Sequence, residues 1–178
     1  MKKRNVLNVL MAAMLLSGCS NVEATPVINQ SIVDYLPVQY EEKLFLPPIQ
    51  SEMQVFSFDE ASGIICPHHL LASDLIHRIF MTVEDNAYES VVIIGPDHFS
   101  VNEFKITLAG SPWLTPFGVV EVNKEINEGL LKLSYVQTDD RLMADEHSSS
   151  ALLPYIAHYF NDASVTAIAI PSTLSQED

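Results

Sequence analysis

At 178 residues with 48% hydrophobic and 18% charged residues, the chain is long enough and apolar enough to bury a core as one domain, and its composition is not that of a disordered polypeptide. Its 23 acidic against 9 basic residues give a formal net charge of −14, which argues against nucleic acid and against adhesion to anionic lipid headgroups.

The amino terminus reads as a targeting segment. Lys2, Lys3 and Arg4 precede an apolar run from Val6 to Leu16 broken by Asn8, followed by Leu16-Ser17-Gly18-Cys19. The run is shorter than the roughly 20 residues needed to span a bilayer, so it is predicted to be a signal peptide over residues 1–18. Leu-Ser-Gly-Cys resembles a bacterial lipobox, which implies cleavage before Cys19 and a lipid anchor on its thiol. The protein would then sit on the extracytoplasmic side of the cell envelope, and Ser20 in place of Asp points to an outer membrane where one exists. An ordinary secretory signal is the plainer alternative. Loss of Lys2, Lys3 and Arg4 moves the net charge to −17 (6 − 23), and Cys66 becomes the sole cysteine available, so no intramolecular disulfide can form.

Residues 19–52 carry Pro26, Pro37, Pro47 and Pro48 without sustained periodicity and read as a tether and irregular arm. A domain over 53–178 is expected to follow. Residues 53–58 alternate as an edge strand, and Gly63-Ile64-Ile65-Cys66 reads as a short buried strand stopped by Pro67. Leu71, Leu75, Ile79 and Val83 predict a helix over about 70–83 with that stripe facing the core. Val91-Val92-Ile93-Ile94 is a second buried strand, ended by Gly95-Pro96. Strand, helix and strand make a βαβ unit in which 63–66 and 91–94 are parallel neighbours. Farther on, 104–109 reads as a strand, 112–118 as a turn-rich loop, 119–122 as a short strand and 124–133 as a helix. Thr138-Asp139-Asp140 is an acidic loop. A helix to about 160 either kinks at Pro154 or starts later, and 165–170 is a last strand. The expected fold class is α/β, a mostly parallel central sheet with flanking helices. No repeat, low-complexity tract or glycine-rich phosphate loop occurs.

Both predicted strands of the βαβ unit end in a stop followed by histidine: Pro67-His68-His69 and Gly95-Pro96-Asp97-His98. In open α/β sheets ligands bind at the carboxyl ends of strands, so the two imidazoles are expected to share one crevice, within about 5 Å of each other. Neutral imidazole is the commonest transition-metal donor, which makes His68 and His98 candidate ligands; capping of turn backbone is the plainer alternative. His69, Asp97, Glu146 and His147 are candidate site-lining residues. His77 reads as a solvated helix residue and His158 as a boundary residue.

Taken with Thr115-Pro116-Phe117-Gly118-Val119-Val120-Glu121-Val122 and with Glu146-His147-Ser148 before Leu153-Pro154, these motifs resemble the Memo family, also called AmmeMemoRadiSam system protein B. The order and spacing hold from about Gly63 to Ile170-Pro171. The resemblance implies a fold similar to class III extradiol dioxygenases, whose non-haem iron is held by two histidines and a carboxylate, and it places His68 and His98 at the metal centre with iron or copper as cofactor. Glu146-His147 matches a family motif. The family's downstream histidine and cysteine have no counterpart in these 178 residues, which implies a domain incomplete at its carboxyl end. The apolar run Val165–Ile170 is accordingly expected to be an open edge that favours self-association or a second polypeptide. The leading expectation is a metal-dependent, dioxygenase-like redox protein acting on an unidentified small molecule. A non-catalytic surface binding protein is the alternative, and zinc-assisted hydrolysis with Glu146 as base ranks third.

Overall fold

The computed structural model describes residues 34–50, 55–99 and 104–173; the expected signal segment and Cys19 lie outside the described residues. Four β-branched residues in succession favour extended backbone, and Val91 to Ile94 form the middle of β1 (Ser90–Asp97). β6 (Ser164–Pro171) pairs with it in parallel along its whole length, from Ser90 opposite Ser164 to Asp97 opposite Pro171. β2 (Ile106–Leu108) lies antiparallel on the other side of β6, and β5 (Val136–Thr138) runs parallel to β2. The sheet order is therefore β1-β6-β2-β5, with parallel pairing predominant, as expected of the fold class. β3 (Trp113–Thr115) and β4 (Gly118–Val120) form a separate hairpin. Gly118 closes its turn at φ 130°, where a side chain would be strained.

Ile93 of β1 and Val165, Ala167 and Ala169 of β6 share the main core with Ile76 and Phe80 of α2 (Ser73–Met81) and Leu153 and Ile156 of α6 (Leu153–Tyr159). The small Ala167 and Ala169 side chains leave room for helices to approach the sheet. Each large apolar side chain buried here stabilises the fold by about 1.5–3 kcal/mol. On the opposite face Leu108, Val136 and Ile168 form a smaller cluster, against which Leu130 of α3 (Lys124–Leu130) packs. Asn127 fastens α3 to the sheet: its amide donates to the Ala109 carbonyl at 2.8 Å and its oxygen accepts from the Thr166 hydroxyl at 2.9 Å.

Several sequence expectations are corrected. Part of the predicted irregular arm is ordered as α1 (Glu42–Gln50), and both Phe45 and Leu36 are buried in the core, because aromatic contacts of Phe45 with Tyr155, Phe117 and His77 outweigh the two helix prolines. Residues 55–58 of the predicted edge strand form no strand, and 51–54 lie outside the described residues. Residues 63–66 form no strand and pair with none, so the predicted βαβ unit is not closed; β1 takes the longer apolar β6 as its neighbour. The 70–83 helix splits into a 3-10 turn (Leu70–Ala72) and α2, and Leu71 and Leu75 are 79% and 51% exposed. Steps of four residues drift about 40° per step around a helix, which carries Leu71 and Leu75 off the core, while Val83, past the end of α2, is buried in it as expected. Ile76, His77 and Phe80 face inward instead. β6 is an interior strand rather than the expected open edge; among the described residues β1 has the unpaired edge beside it.

The predicted turn region contains β3, and β5 was not expected. Asp139 of the expected acidic loop instead caps α4 (Asp140–Asp145), accepting the Leu142 amide hydrogen at 3.0 Å. Pro154 lies in the first turn of α6, where its missing N–H costs nothing, so that helix starts late rather than kinking.

Candidate metal centre

His68, His98 and His147 come together from three places in the chain. His68 follows the Pro67 stop, His98 follows the end of β1, and His147 opens α5 (His147–Ser150). Ring centroids of His68 lie 5.1 Å from His98 and 5.4 Å from His147, and the rings of His98 and His147 stack at 4.0 Å. One ring nitrogen of each lies within 4.8 Å of the others.

Glu146 builds this arrangement. It ends α4 and caps α5, its own N–H donating to the Leu142 carbonyl at 2.9 Å while Oε1 accepts the Ser148 amide hydrogen at 2.8 Å. The same carboxylate reaches across to β1: Oε2 accepts the His98 backbone N–H and Oε1 the His98 Nδ1–H, each at 2.7 Å. This fixes the tautomer of His98 and leaves Nε2 free to ligate, an arrangement typical of metal-bound histidine. The Glu146 side chain is 0% exposed against 33% for His98 and 31% for His147, so the imidazoles face solvent and their support does not. Burial pushes the Glu146 carboxyl up, but the hydrogen bonds from Ser148 and His98 outweigh it and hold the group below the ordinary glutamate value. Burial, reinforced by the His98 and His147 imidazoles, lowers the pKa of His68 and favours the neutral, metal-binding form.

Gly95 permits the close approach of β1 and α5. A Cβ there would sit 2.5 Å from Ser148 Oγ and 2.8 Å from Ser148 Cβ. The Ser148 hydroxyl instead donates to the Pro96 carbonyl at 2.9 Å, joining the strand end to the turn that carries His147.

The donor set fits a transition-metal ion. An ion about 2.1 Å from each nitrogen needs donors about 3.4 Å apart in a tetrahedral set, so modest inward movement closes the site. Three imidazoles suit zinc, copper, iron or nickel equally by donor type. His68 and His98 therefore meet as expected. His147, anticipated only as a lining residue, joins the cluster as a third donor; the signal for it was the carboxylate just before it at a helix start. Other sequence-level candidates do not join the cluster. His69 caps the 3-10 turn through Nδ1, which accepts the Leu71 N–H at 3.2 Å, and Asp97 is buried with Oδ1 accepting the Phe99 N–H at 2.8 Å. Glu146 is committed to orienting His98, which leaves it poorly placed as the hydrolytic base considered above.

His77 is corrected outright. It is 0% exposed, with Nε2–H donating to the Phe45 carbonyl at 3.0 Å and Nδ1 accepting from the Tyr159 hydroxyl at 2.9 Å. Burial pushes its pKa down to about 4. His158 is exposed at the margin, its ring 5.4 Å from that of Phe117, as a boundary residue should be. No helix among the described residues is long and apolar enough to cross a membrane.

Comparison with known proteins agrees with this geometry. The family model described as "Memo-like protein" matches residues 40–177. A "MEMO1 family protein" of Aquifex aeolicus is 37% identical over 99 residues, covering 54% of this chain and 36% of that relative. A "MEMO1 family protein" of Thermococcus onnurineus is 31% identical over 121 residues, covering 66% of this chain and 41% of the relative. One from Methanopyrus kandleri is 29% identical over 105 residues, covering 57% and 37%. The chain thus spans about two fifths of the length of the curated relatives it matches. With the sheet, the histidine cluster and a family match over residues 40–177 in agreement, the chain belongs to the Memo-like protein family.

Proposed function

We propose that the protein is a metal-dependent redox protein, related to extradiol dioxygenases, that holds iron or copper through His68, His98 and His147. The observation that carries this reading is the convergence of three solvent-facing imidazoles, one of them oriented by the fully buried Glu146. When bound, iron or copper would supply electron transfer and O₂ chemistry at coordination positions left open by the protein. The chain's own residues bind and orient: Glu146 holds the His98 Nδ1 proton, Ser148 locks the α5 turn to β1, and His68 completes the donor set from the segment after Pro67. The small-molecule substrate would approach from the solvent side of the three rings.

The same reading includes a lipid on Cys19 that fixes the protein to the extracytoplasmic side of a bacterial envelope, supported by the Leu16-Ser17-Gly18-Cys19 sequence. Cys19→Ser should release the protein from membranes or leave the signal uncleaved. Normal processing with unchanged membrane fractionation would contradict the anchor. Association with a second copy or a second polypeptide belongs to the proposal too, supported by Val92 and Ile94, which are 46% and 66% exposed on β1.

A non-catalytic surface binding protein is the second reading, favoured by the absence, among the described residues, of a carboxylate from the gathered donors. Metal analysis separates the two: stoichiometric iron or copper, lost on His68→Ala or His98→Ala, supports the redox protein, and a protein that takes up neither metal supports the binder.

A further inference from the structure

Resting on the metal-centre reading above, we infer that metal capture draws the segment Ala61–Pro67 onto the free edge of β1 as a fifth, parallel strand. Its two ends are already placed for this. At one end the Tyr88 hydroxyl, two residues before β1, donates to the Ala61 carbonyl at 2.7 Å. At the other, His68 stands 5.1 Å from His98, just past the end of β1. The segment therefore runs beside β1 in the same direction. Seven extended residues reach roughly 23 Å, close to the roughly 26 Å of the eight residues of β1.

Between these ends the two stretches are apart. No backbone hydrogen bond joins residues 62–68 to β1 among the described residues, and a cavity of about 310 Å³ lies between them, lined by Ile64, Ile65, Val92 and Ile94 among others. Ile65 is 98% exposed, although Gly63-Ile64-Ile65-Cys66 has the composition of a buried strand. Backbone that makes no hydrogen bond to the sheet faces an equally unpaired strand edge.

The metal supplies the closing force because the donors are not yet at bonding separation. Their nitrogens lie up to 4.8 Å apart, whereas one ion needs about 3.4 Å between them in a tetrahedral set. His98 is held by two bonds to Glu146, and His147 by the α5 turn that Ser148 ties to Pro96. His68 is the donor on an unpaired segment. Contraction of the site therefore moves His68, and with it Pro67 and Cys66, toward β1. By linkage, strand pairing must in turn tighten metal binding by the same factor.

The test is amide hydrogen exchange, read by mass spectrometry on the purified protein with and without saturating Zn²⁺ as a redox-silent probe, alongside a direct Zn²⁺ binding titration. Exchange over residues 62–66 and along β1 should slow about tenfold or more on metal binding. Ile64→Pro and Ile65→Pro leave every ligand in place and break no backbone hydrogen bond of the metal-free protein among the described residues. Whichever of them removes an N–H facing β1 should weaken Zn²⁺ binding about threefold to tenfold. Full-affinity binding with unchanged exchange over 62–66, and with both proline variants binding normally, would overturn this inference while leaving the metal centre intact. Failure to bind Zn²⁺, copper or iron would overturn both.

Discussion

Glu146→Gln probes the support beneath the metal site with almost no change in volume. Three donors converge on the carboxylate: the His98 backbone N–H and His98 Nδ1–H at 2.7 Å, and the Ser148 N–H at 2.8 Å. An amide has one acceptor oxygen. Placed at the Oε1 position it serves His98 Nδ1–H and Ser148 N–H but turns an NH₂ toward the His98 backbone N–H; flipped, it serves that backbone group and opposes the other two. Either way at least one buried donor is stranded, at a cost of about 1–3 kcal/mol. The loss appears as a lowered melting temperature of the metal-free protein. A second loss falls on metal binding, since His98 is no longer held in the Nδ1–H tautomer by a charge. Removal of such a supporting carboxylate weakens metal affinity by about 10–100-fold, which is about 1.4–2.7 kcal/mol. Calorimetric titration of the metal-free variant with Zn²⁺, with chelator competition for the tight wild type, measures it. Wild-type affinity in a variant that melts normally would show that Glu146 does not orient His98, and the proposed division of roles would fail.

Gly95→Ala should cost about 1–3 kcal/mol and reduce metal affinity, because its Cβ at 2.5 Å from Ser148 Oγ must displace the turn carrying His147. Adding Ser148→Gly should restore part of both losses; equal stability of Gly95→Ala and wild type by urea denaturation would contradict the packing argument. The buried His77, with a folded pKa of about 4 against about 6.5 unfolded, binds protons mainly in the unfolded state. Stability is therefore complete above about pH 6.5 and falls as the pH drops toward 4, by about 2 kcal/mol between pH 7 and pH 5. Urea denaturation of wild type and His77→Leu at both pH values checks it, the variant showing the smaller pH dependence. With a net charge of −14, self-association should rise as added salt screens repulsion, and sedimentation at low and high salt will show whether it does.

What could be read in the sequence was local: strand composition with a sharp stop. Val91–Ile94 and the last apolar run both form strands, and stop-plus-histidine located His68 and His98. Pairing partners were not legible. The parallel match of β1 with β6 joins residues 74 positions apart, and β-composition does not say which edge finds which, so 63–66 was assigned a neighbour it does not hydrogen-bond. The burial of His77 is not legible because His77 lies off the four-residue apolar stripe and its ring nitrogens are satisfied by Phe45 and Tyr159, far away in sequence. The part Glu146 plays in orienting His98 is not legible for the same reason: the contact spans 48 residues and exists only once β1 and α5 meet at Gly95.

The most direct measurement is the metal content of the purified protein, loaded anaerobically with Fe(II) or with copper and desalted, beside His68→Ala, His98→Ala and His147→Ala. About one equivalent of iron or copper in wild type, lost in each histidine variant while folding is retained, is the expected result. Metal retained by all three variants, or none taken up by the folded wild type, would contradict a metal centre at these histidines.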